Sequence, residues 1–243
     1  MPVPAWADIR YEQGKAWDMQ KTRVLYTESH WSRFENGRIS ERTVLYRCAD
    51  GTPFARKVVS YGSSALAPEF QFQDRRFDYS EGLRWQNGIP RVQFSGPDGK
   101  GERALDSSPT LVADAGFDNF IRQRWQALSR NDKQKLQFAV PARLKSYGFY
   151  LQRAGNTRYA NQPAQIFKLG LDGWLGFIAP SITLTYSNRD LRLMQFKGLT
   201  NILGSRGDKP LNAIIEFPLN DQAADAKAKR AAQMVLLESC KVN

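Results

Sequence analysis

Residues 22–60 read TRVLYTESHWSRFENGRISERTVLYRCADGTPFARKVVS, and this stretch decides the fold class. Over 22–34 the side chains alternate between two faces, one carrying Val24, Tyr26 and Glu28 and the other Leu25, Thr27 and Trp31. Such alternation predicts a strand, and 39–48 and 54–60 predict two more. Asn36-Gly37 and Asp50-Gly51 separate the three runs, and these residues tolerate the positive φ of tight turns. The stretch therefore predicts an antiparallel meander.

The rest of the chain continues this pattern and carries two predicted helices. Roughly ten strands are expected in all, within a single β domain over 8–218. A helix at about 114–130 is predicted from apolar side chains at helical spacing, namely Phe117, Phe120, Ile121, Trp125 and Leu128. Asp114 is its expected N-cap. A C-terminal helix is predicted over 219–243, because acids come early and Lys241 late. Whether that helix docks or protrudes is left open.

The charge of the chain favours anionic partners. Its formal net charge is +11 and its pI is about 9.8. An anionic membrane surface or lipopolysaccharide would suit such a surface, although a basic surface also simply confers solubility. Nucleic acid is disfavoured, because the basic residues are scattered and no nucleic-acid-binding motif is present.

The N-terminus and the cysteines bear on export. Ala5 and Ala7 are small residues at the spacing that signal peptidase accepts, so residues 1–7 are interpreted as a signal-peptide remnant. This predicts a periplasmic or envelope location. Cys48 and Cys240 are the two cysteines. In an exported protein they have the opportunity to pair, but the sequence does not establish whether they do.

No motif assigns a reaction to this chain. His30 is the single histidine, and Glu28 and Glu41 are its expected neighbours across the first hairpin. Without a nucleophile motif it is interpreted as a packed residue. Two carboxylate pairs, Asp74 with Asp78 and Asp114 with Asp118, are more simply an ion pair with the adjacent arginines and a helix start. No metal or cofactor is expected, since zinc spacing and Gly-rich phosphate loops are both missing.

Several segments resemble a family of uncharacterised exported proteins of Gram-negative bacteria, whose scaffold looks like that of the periplasmic lipoprotein carriers LolA and LolB. The segments are Tyr26–His30, Gly37-Arg38, Leu45–Arg47, Ala67–Phe70, Asp74-Arg75, Ala115–Ile121, Thr183–Tyr186 and Phe196–Ile202. The resemblance implies a strongly curved antiparallel sheet, an unclosed barrel, with helices covering its concave side. It also implies a cavity between sheet and helix that would hold acyl chains.

These observations predict a non-enzymatic periplasmic protein that binds a lipid or another hydrophobic ligand. The candidate cavity-lining residues are Phe120, Trp125, Trp174 and Phe177. One alternative is a structural or partner-binding envelope protein that uses sheet edges and the C-terminal helix. Another is an envelope glycan hydrolase that uses Asp or Glu side chains.

Overall fold

The computed structural model describes residues 8–97, 99–172 and 181–242. They contain sixteen strands, two α-helices and one 3₁₀ helix. The elements in chain order are β1 (Asp8–Trp17), β2 (Val24–Glu35), β3 (Arg38–Cys48), β4 (Pro53–Ser60), β5 (Glu69–Asp74), β6 (Tyr79–Gln86), β7 (Ile89–Gly96), β8 (Gly99–Ala104), β9 (Leu111–Val112), α1 (Gly116–Ser129), β10 (Gln134–Val140), the 3₁₀ helix (Pro141–Arg143), β11 (Lys145–Tyr159), β12 (Gln162–Leu171), β13 (Ile182–Ser187), β14 (Leu193–Leu203), β15 (Pro210–Glu216), β16 (Gln222–Ala224) and α2 (Ala226–Met234).

All sixteen strands belong to one curved sheet, which confirms the predicted mainly β, antiparallel class. The strand order is β8-β7-β6-β5-β4-β3-β2-β1-β15-β14-β13-β12-β11-β10-β9, with β16 added to β1. Among these pairs only β9 and β10 run parallel. The sheet does not close, since no pairing joins β8 to β9. Its two ends nevertheless come near each other, because a Cβ on Gly101 of β8 would lie 2.7 Å from the side chain of Leu144, beside β10.

Local turn chemistry and bulges shape the meander. Asn36 and Gly37 have φ values of 51° and 73°, and Asn87 and Gly88 have 50° and 76°, so both pairs form the hairpin turns that the sequence predicts. Bulges in the β1–β2, β2–β3 and β3–β4 pairs each add a local bend. Together with the ordinary twist of strands, these bends curve the sheet.

The interior contains two apolar clusters. The larger one lies among β1–β7 and is built around Tyr26, Tyr46 and Phe72. The smaller one joins α1 to β10–β13. Phe196 packs against both clusters, so the apolar interior is continuous across the sheet.

Helix α1 begins two residues later than predicted, and its N-cap is not Asp114. The residue before the helix is Ala115, which makes no side-chain cap. Asp114 has a φ of 43°, and its carboxylate accepts from the Ala115 amide and pairs with Lys57 of β4. The ion pair with a distant strand therefore holds the side chain that was expected to cap the first turn.

The C-terminal helix is much shorter than the predicted 219–243. Gln222–Ala224 instead form β16, and α2 starts where the Asp225 carboxylate accepts from the Ala228 amide at 2.6 Å. After Met234 the chain is extended and held to the sheet. Arg56 donates to the Val235 carbonyl at 3.0 Å, and the Glu238 amide donates to the Pro53 carbonyl at 2.8 Å. These contacts satisfy backbone groups that would otherwise continue the helix, and a disulfide joins Cys240 to Cys48.

Candidate functional site

Helix α1 lies inside the curve of the sheet. Its buried side chains Phe120, Ile121 and Leu128 pack against inward residues of β10–β13. Its first residues reach the opposite wall, where Asp118 contacts Arg42 of β3. Five strands separate β4 from β13 in the sheet order. One helix contacts both walls only if the sheet curves around it, so α1 fills the concave side. We call the contact between α1 and the concave face the α1 interface.

Two ion pairs fix the start of α1 to the first wall. Lys57 Nζ lies 2.6 Å from Asp114 Oδ2, and Arg42 donates to Asp118 across 3.5 Å. The hydroxyl of Tyr186, on the second wall, donates to the other oxygen of Asp118 at 2.6 Å. All five side chains are largely buried. We call these five residues the latch, because they join both walls to the helix.

The cations of the latch stay charged despite their burial. Burial alone would lower the pKa of Lys57, but the Asp114 carboxylate and other nearby groups outweigh it and raise the pKa above its ordinary value. The pKa of Arg42 is raised in the same way, with Tyr61 and Asp118 opposing the effect of burial. The concave face therefore offers two fixed positive charges at the edge of an apolar surface.

His30 lies on the concave face beside one of its two predicted neighbours. Its Nε2 is 3.0 Å from Glu28 Oε2, and its ring meets Phe217 edge-on at 5.5 Å. Glu41 is not part of this contact, because it pairs with Lys229 of α2. Cys48 forms the disulfide. The pair of His30 and Glu28 thus resembles a packed, hydrogen-bonded core element.

The carboxylates considered for hydrolysis all have cationic partners. Asp74 pairs with Arg76, and Asp78 with Arg75, as the sequence around 73–76 suggested. Asp114 and Asp118 are the acids of the latch. An ion pair is thus the structural role of each of these four side chains.

Two of the four predicted cavity residues belong to the α1 interface. Phe120 is fully buried in the apolar cluster. Trp125 is partly buried and meets the ring of Phe167 edge-on at 5.5 Å. The other two, Trp174 and Phe177, lie outside the described residues. A cavity-lining role for any of the four stays a prediction.

Two surface recesses occur elsewhere on the described part of the chain. One, of about 580 Å³, lies at the rim beside the β2–β3 hairpin and includes Tyr61. The other, of about 540 Å³, lies over β6–β8 and includes Phe94. Neither is lined by Phe120 or Trp125. A ligand on the concave face would therefore have to displace α1 rather than enter either recess.

Sequence reasoning missed the cations of the latch, although a signal for them exists. Lys57 lies between Ala55 and Val59, both of which point into the core. Arg42 likewise alternates with the buried Val44. A charged residue at an inward position of a strand needs a partner, because burying it unpaired is costly. That requirement was readable from the alternation, but the identity of the partner was not.

No protein-family model matches this sequence, and no curated protein has significant sequence similarity to it. Solved structures include distant neighbours. A β-barrel-like protein of the domain of unknown function DUF1849 from Brucella abortus has a TM-score of 0.43 and 8% identity, covering 90% of this chain and 98% of its own. A DUF1329 family protein from Desulfovibrio piger has a TM-score of 0.30 and 10% identity, covering 94% and 90%. A domain described as an outer membrane lipoprotein-sorting protein, from Vibrio parahaemolyticus, has a TM-score of 0.28 and 7% identity, covering 94% and 90%. These values assign the chain to none of the three groups.

Neither helix in the described ranges combines the length and the apolar character that crossing a bilayer requires.

Proposed function

We propose that this protein is a non-enzymatic binding protein of the cell envelope that holds an anionic amphiphile on the concave face. The α1 interface carries this proposal, because it combines the two surfaces that an amphiphile needs. Phe167 and its neighbours form an apolar wall, and Lys57 and Arg42 are charged groups beside it. In the described state α1 occupies both surfaces.

The ligand would replace the helix group for group. An acyl chain would take the place of Phe120, Ile121 and Leu128, so the apolar burial lost by the helix, at ~25 cal/mol per Å², is largely recovered. A carboxylate or phosphate head group would accept charge-assisted hydrogen bonds from Lys57 and Arg42 in place of Asp114 and Asp118. Because the exchange is close to balanced, modest differences between ligands would decide binding.

An envelope location supports this proposal. The disulfide between Cys48 and Cys240 is typical of oxidising compartments such as the periplasm. The Ala5 and Ala7 spacing agrees with export, although residues 1–7 lie outside the described residues.

Binding of the fluorescent fatty acid cis-parinaric acid tests the proposal. Asp118→Asn weakens the latch without touching the apolar wall, so it should bind the probe roughly tenfold more tightly than the unmodified protein. Glu102→Gln is the matched control, because Glu102 pairs with Arg84 and Arg91 at the sheet edge, away from α1. No binding by the unmodified protein, or equal gains in both variants, would overturn the proposal.

The head-group preference needs a second pair of ligands. Laurate should displace the probe more effectively than dodecylamine, because only the acid complements Lys57 and Arg42. The double variant Lys57→Met/Asp114→Asn removes a cation together with its partner, so the site stays balanced in charge. It should lose most of the preference for laurate. An unchanged preference in this variant would mean that the latch does not read the head group.

The close packing of α1 favours a second candidate function. Phe120 and Leu128 are fully buried against the sheet, as expected of a permanent core helix. A structural or partner-binding envelope protein would need no release of α1. Native mass spectrometry of protein purified from membranes separates the two functions: a co-purifying amphiphile supports the carrier, and a bare chain with α1 amides protected at all times supports the structural role.

A further inference from the structure

We propose that the outer face of α2, together with Leu236, is a docking surface for an anionic lipid bilayer. This surface lies on the convex side of β3 and shares no residue with the α1 interface. The inference therefore stands independently of what the concave face binds. It concerns where the protein works rather than what it carries.

Helix α2 has two clearly different faces. Its inner face lies on β3: Lys229 pairs with Glu41, Ala232 is buried, and Gln233 donates to Thr43 Oγ1 at 3.0 Å. Its outer face carries side chains three and four residues apart, the spacing that puts them on one side of a helix. Those side chains are Lys227, Arg230, Ala231 and Met234, and all four are exposed.

The apolar part of this surface is unusually exposed. Met234 is 83% exposed and Leu236 is 78% exposed. The next large apolar side chain in the described part of the chain, Ile89, is 47% exposed. Single exposed apolar residues are common on protein surfaces, but two adjacent ones at nearly full exposure indicate a contact that forms outside the chain.

The surrounding structure holds these two side chains outward. The Lys229–Glu41 pair fixes the helix, and Arg56 holds the Val235 carbonyl between Met234 and Leu236. The disulfide from Cys240 to Cys48 fixes the end of the tail. Because the backbone is tied on both sides, Met234 and Leu236 do not fold back onto the sheet.

The charges around them fit an anionic surface. Lys227, Arg230 and Lys241 are exposed. Of the acids in this segment, Asp225 caps the helix, and Glu238 is the exposed carboxylate. The exposed groups thus carry a positive excess beside the apolar pair. A bilayer complements this arrangement, because lysine and arginine contact head groups while apolar side chains enter the interface below them.

A bilayer also fits the size of the surface better than a protein partner does. A stable protein interface buries about 800 Å² on each side. Two side chains on a nine-residue helix offer much less than that. Shallow insertion combined with electrostatic attraction needs no larger area.

Co-sedimentation of the oxidised full chain with vesicles tests the inference. The protein should sediment with vesicles that contain phosphatidylglycerol and much less with pure phosphatidylcholine vesicles. The variant Met234→Ser/Leu236→Ser should bind roughly tenfold more weakly, because it removes the inserted side chains. Lys227→Ala and Arg230→Ala should each weaken binding about fivefold, and added salt should do the same to the unmodified protein.

The controls separate this surface from others. Ile89→Ser removes an exposed apolar side chain at the β6–β7 hairpin and should leave vesicle binding unchanged. The Met234→Ser/Leu236→Ser variant should still bind cis-parinaric acid as the unmodified protein does, so failure of the carrier proposal is distinguishable from failure here. Vesicle binding that is undetectable, or equally weakened by Ile89→Ser, would overturn the inference. So would vesicle binding that survives the serine variant while a protein cross-linked to Met234 or Leu236 is lost.

Discussion

The pair of Asp74 and Arg76 shows how a single residue supports the sheet. The side chain of Arg76 is 2% exposed and that of Asp74 is 1% exposed. Two donors of the guanidinium contact the carboxylate, at 2.5 and 3.0 Å, and one of them also donates to the Leu203 carbonyl at 2.9 Å. The guanidinium lies over the ring of Phe54 at 4.2 Å. This one side chain therefore joins β5, β4 and β14.

Arg76→Met should destabilise the protein by about 3–5 kcal/mol, because it leaves the Asp74 carboxylate buried without its cation. Urea unfolding followed by tryptophan fluorescence measures the change. Arg75→Met is the control: Arg75 and Asp78 form an exposed pair, so this change should cost no more than ~0.5 kcal/mol. Combining Arg76→Met with Asp74→Asn should recover part of the loss, and a double variant as unstable as the single one would contradict this explanation.

At the scale of elements, α2 depends on β3 through a small number of polar contacts. Its apolar contribution to the core is mainly Ala232. The Lys229–Glu41 pair is the central contact, and Arg33 also lies near Glu41, at 3.9 Å. The hydrogen bond from Lys229 is the main reason that the pKa of Glu41 is lowered from its ordinary value of 4.5. A short helix held in this way is expected to detach before the sheet unfolds.

This pair predicts that α2 loosens in acid. Because the pKa of Glu41 is lower in the folded state, its stabilising effect is complete above about pH 4.5 and is lost as the pH falls through the folded value. Hydrogen exchange of the α2 amides, corrected for the intrinsic effect of pH, should show this loss of protection. In Glu41→Gln the protection should be lower at neutral pH and should not change in the acid range. Equal acid sensitivity in both proteins would assign the effect to other carboxyl groups.

At the scale of the whole molecule, the disulfide closes the largest loop in the structure. Cys48 ends β3 and Cys240 lies in the C-terminal tail, with a sequence separation of 192 residues. Almost the entire sheet lies between the two. A link across so long a loop restricts the unfolded chain strongly, while in the folded chain it only ties the tail to a strand end.

Reduction should therefore lower the free energy of unfolding by up to about 5 kcal/mol. Thermal and urea unfolding with and without a thiol reductant measure this. Cys48→Ala/Cys240→Ala should match the reduced protein and be insensitive to reductant. If reduction frees the tail but leaves stability unchanged, the unfolded chain already holds residual structure that keeps the two ends together.

The sequence by itself determined the local features of this protein. Asn36-Gly37 and Asn87-Gly88 specify their turns because few other residues adopt the positive φ that these turns require. Alternation of side chains specified the strands, and helical spacing of the aromatic residues specified α1. Each of these depends on neighbours in sequence, so each is readable from a short window.

Tertiary structure decided everything that depends on which strands become neighbours. The partner of Asp114 is Lys57, and the partner of Cys48 is Cys240; both contacts exist only because the curved sheet brings distant residues together. The same contacts took Asp114 away from capping α1 and ended α2 at Met234. They also placed Phe120 against the sheet, so the α1 interface was not readable from any local pattern. Local backbone preferences fix the elements, whereas ion pairs, the disulfide and shared burial depend on the order in which the sheet assembles them.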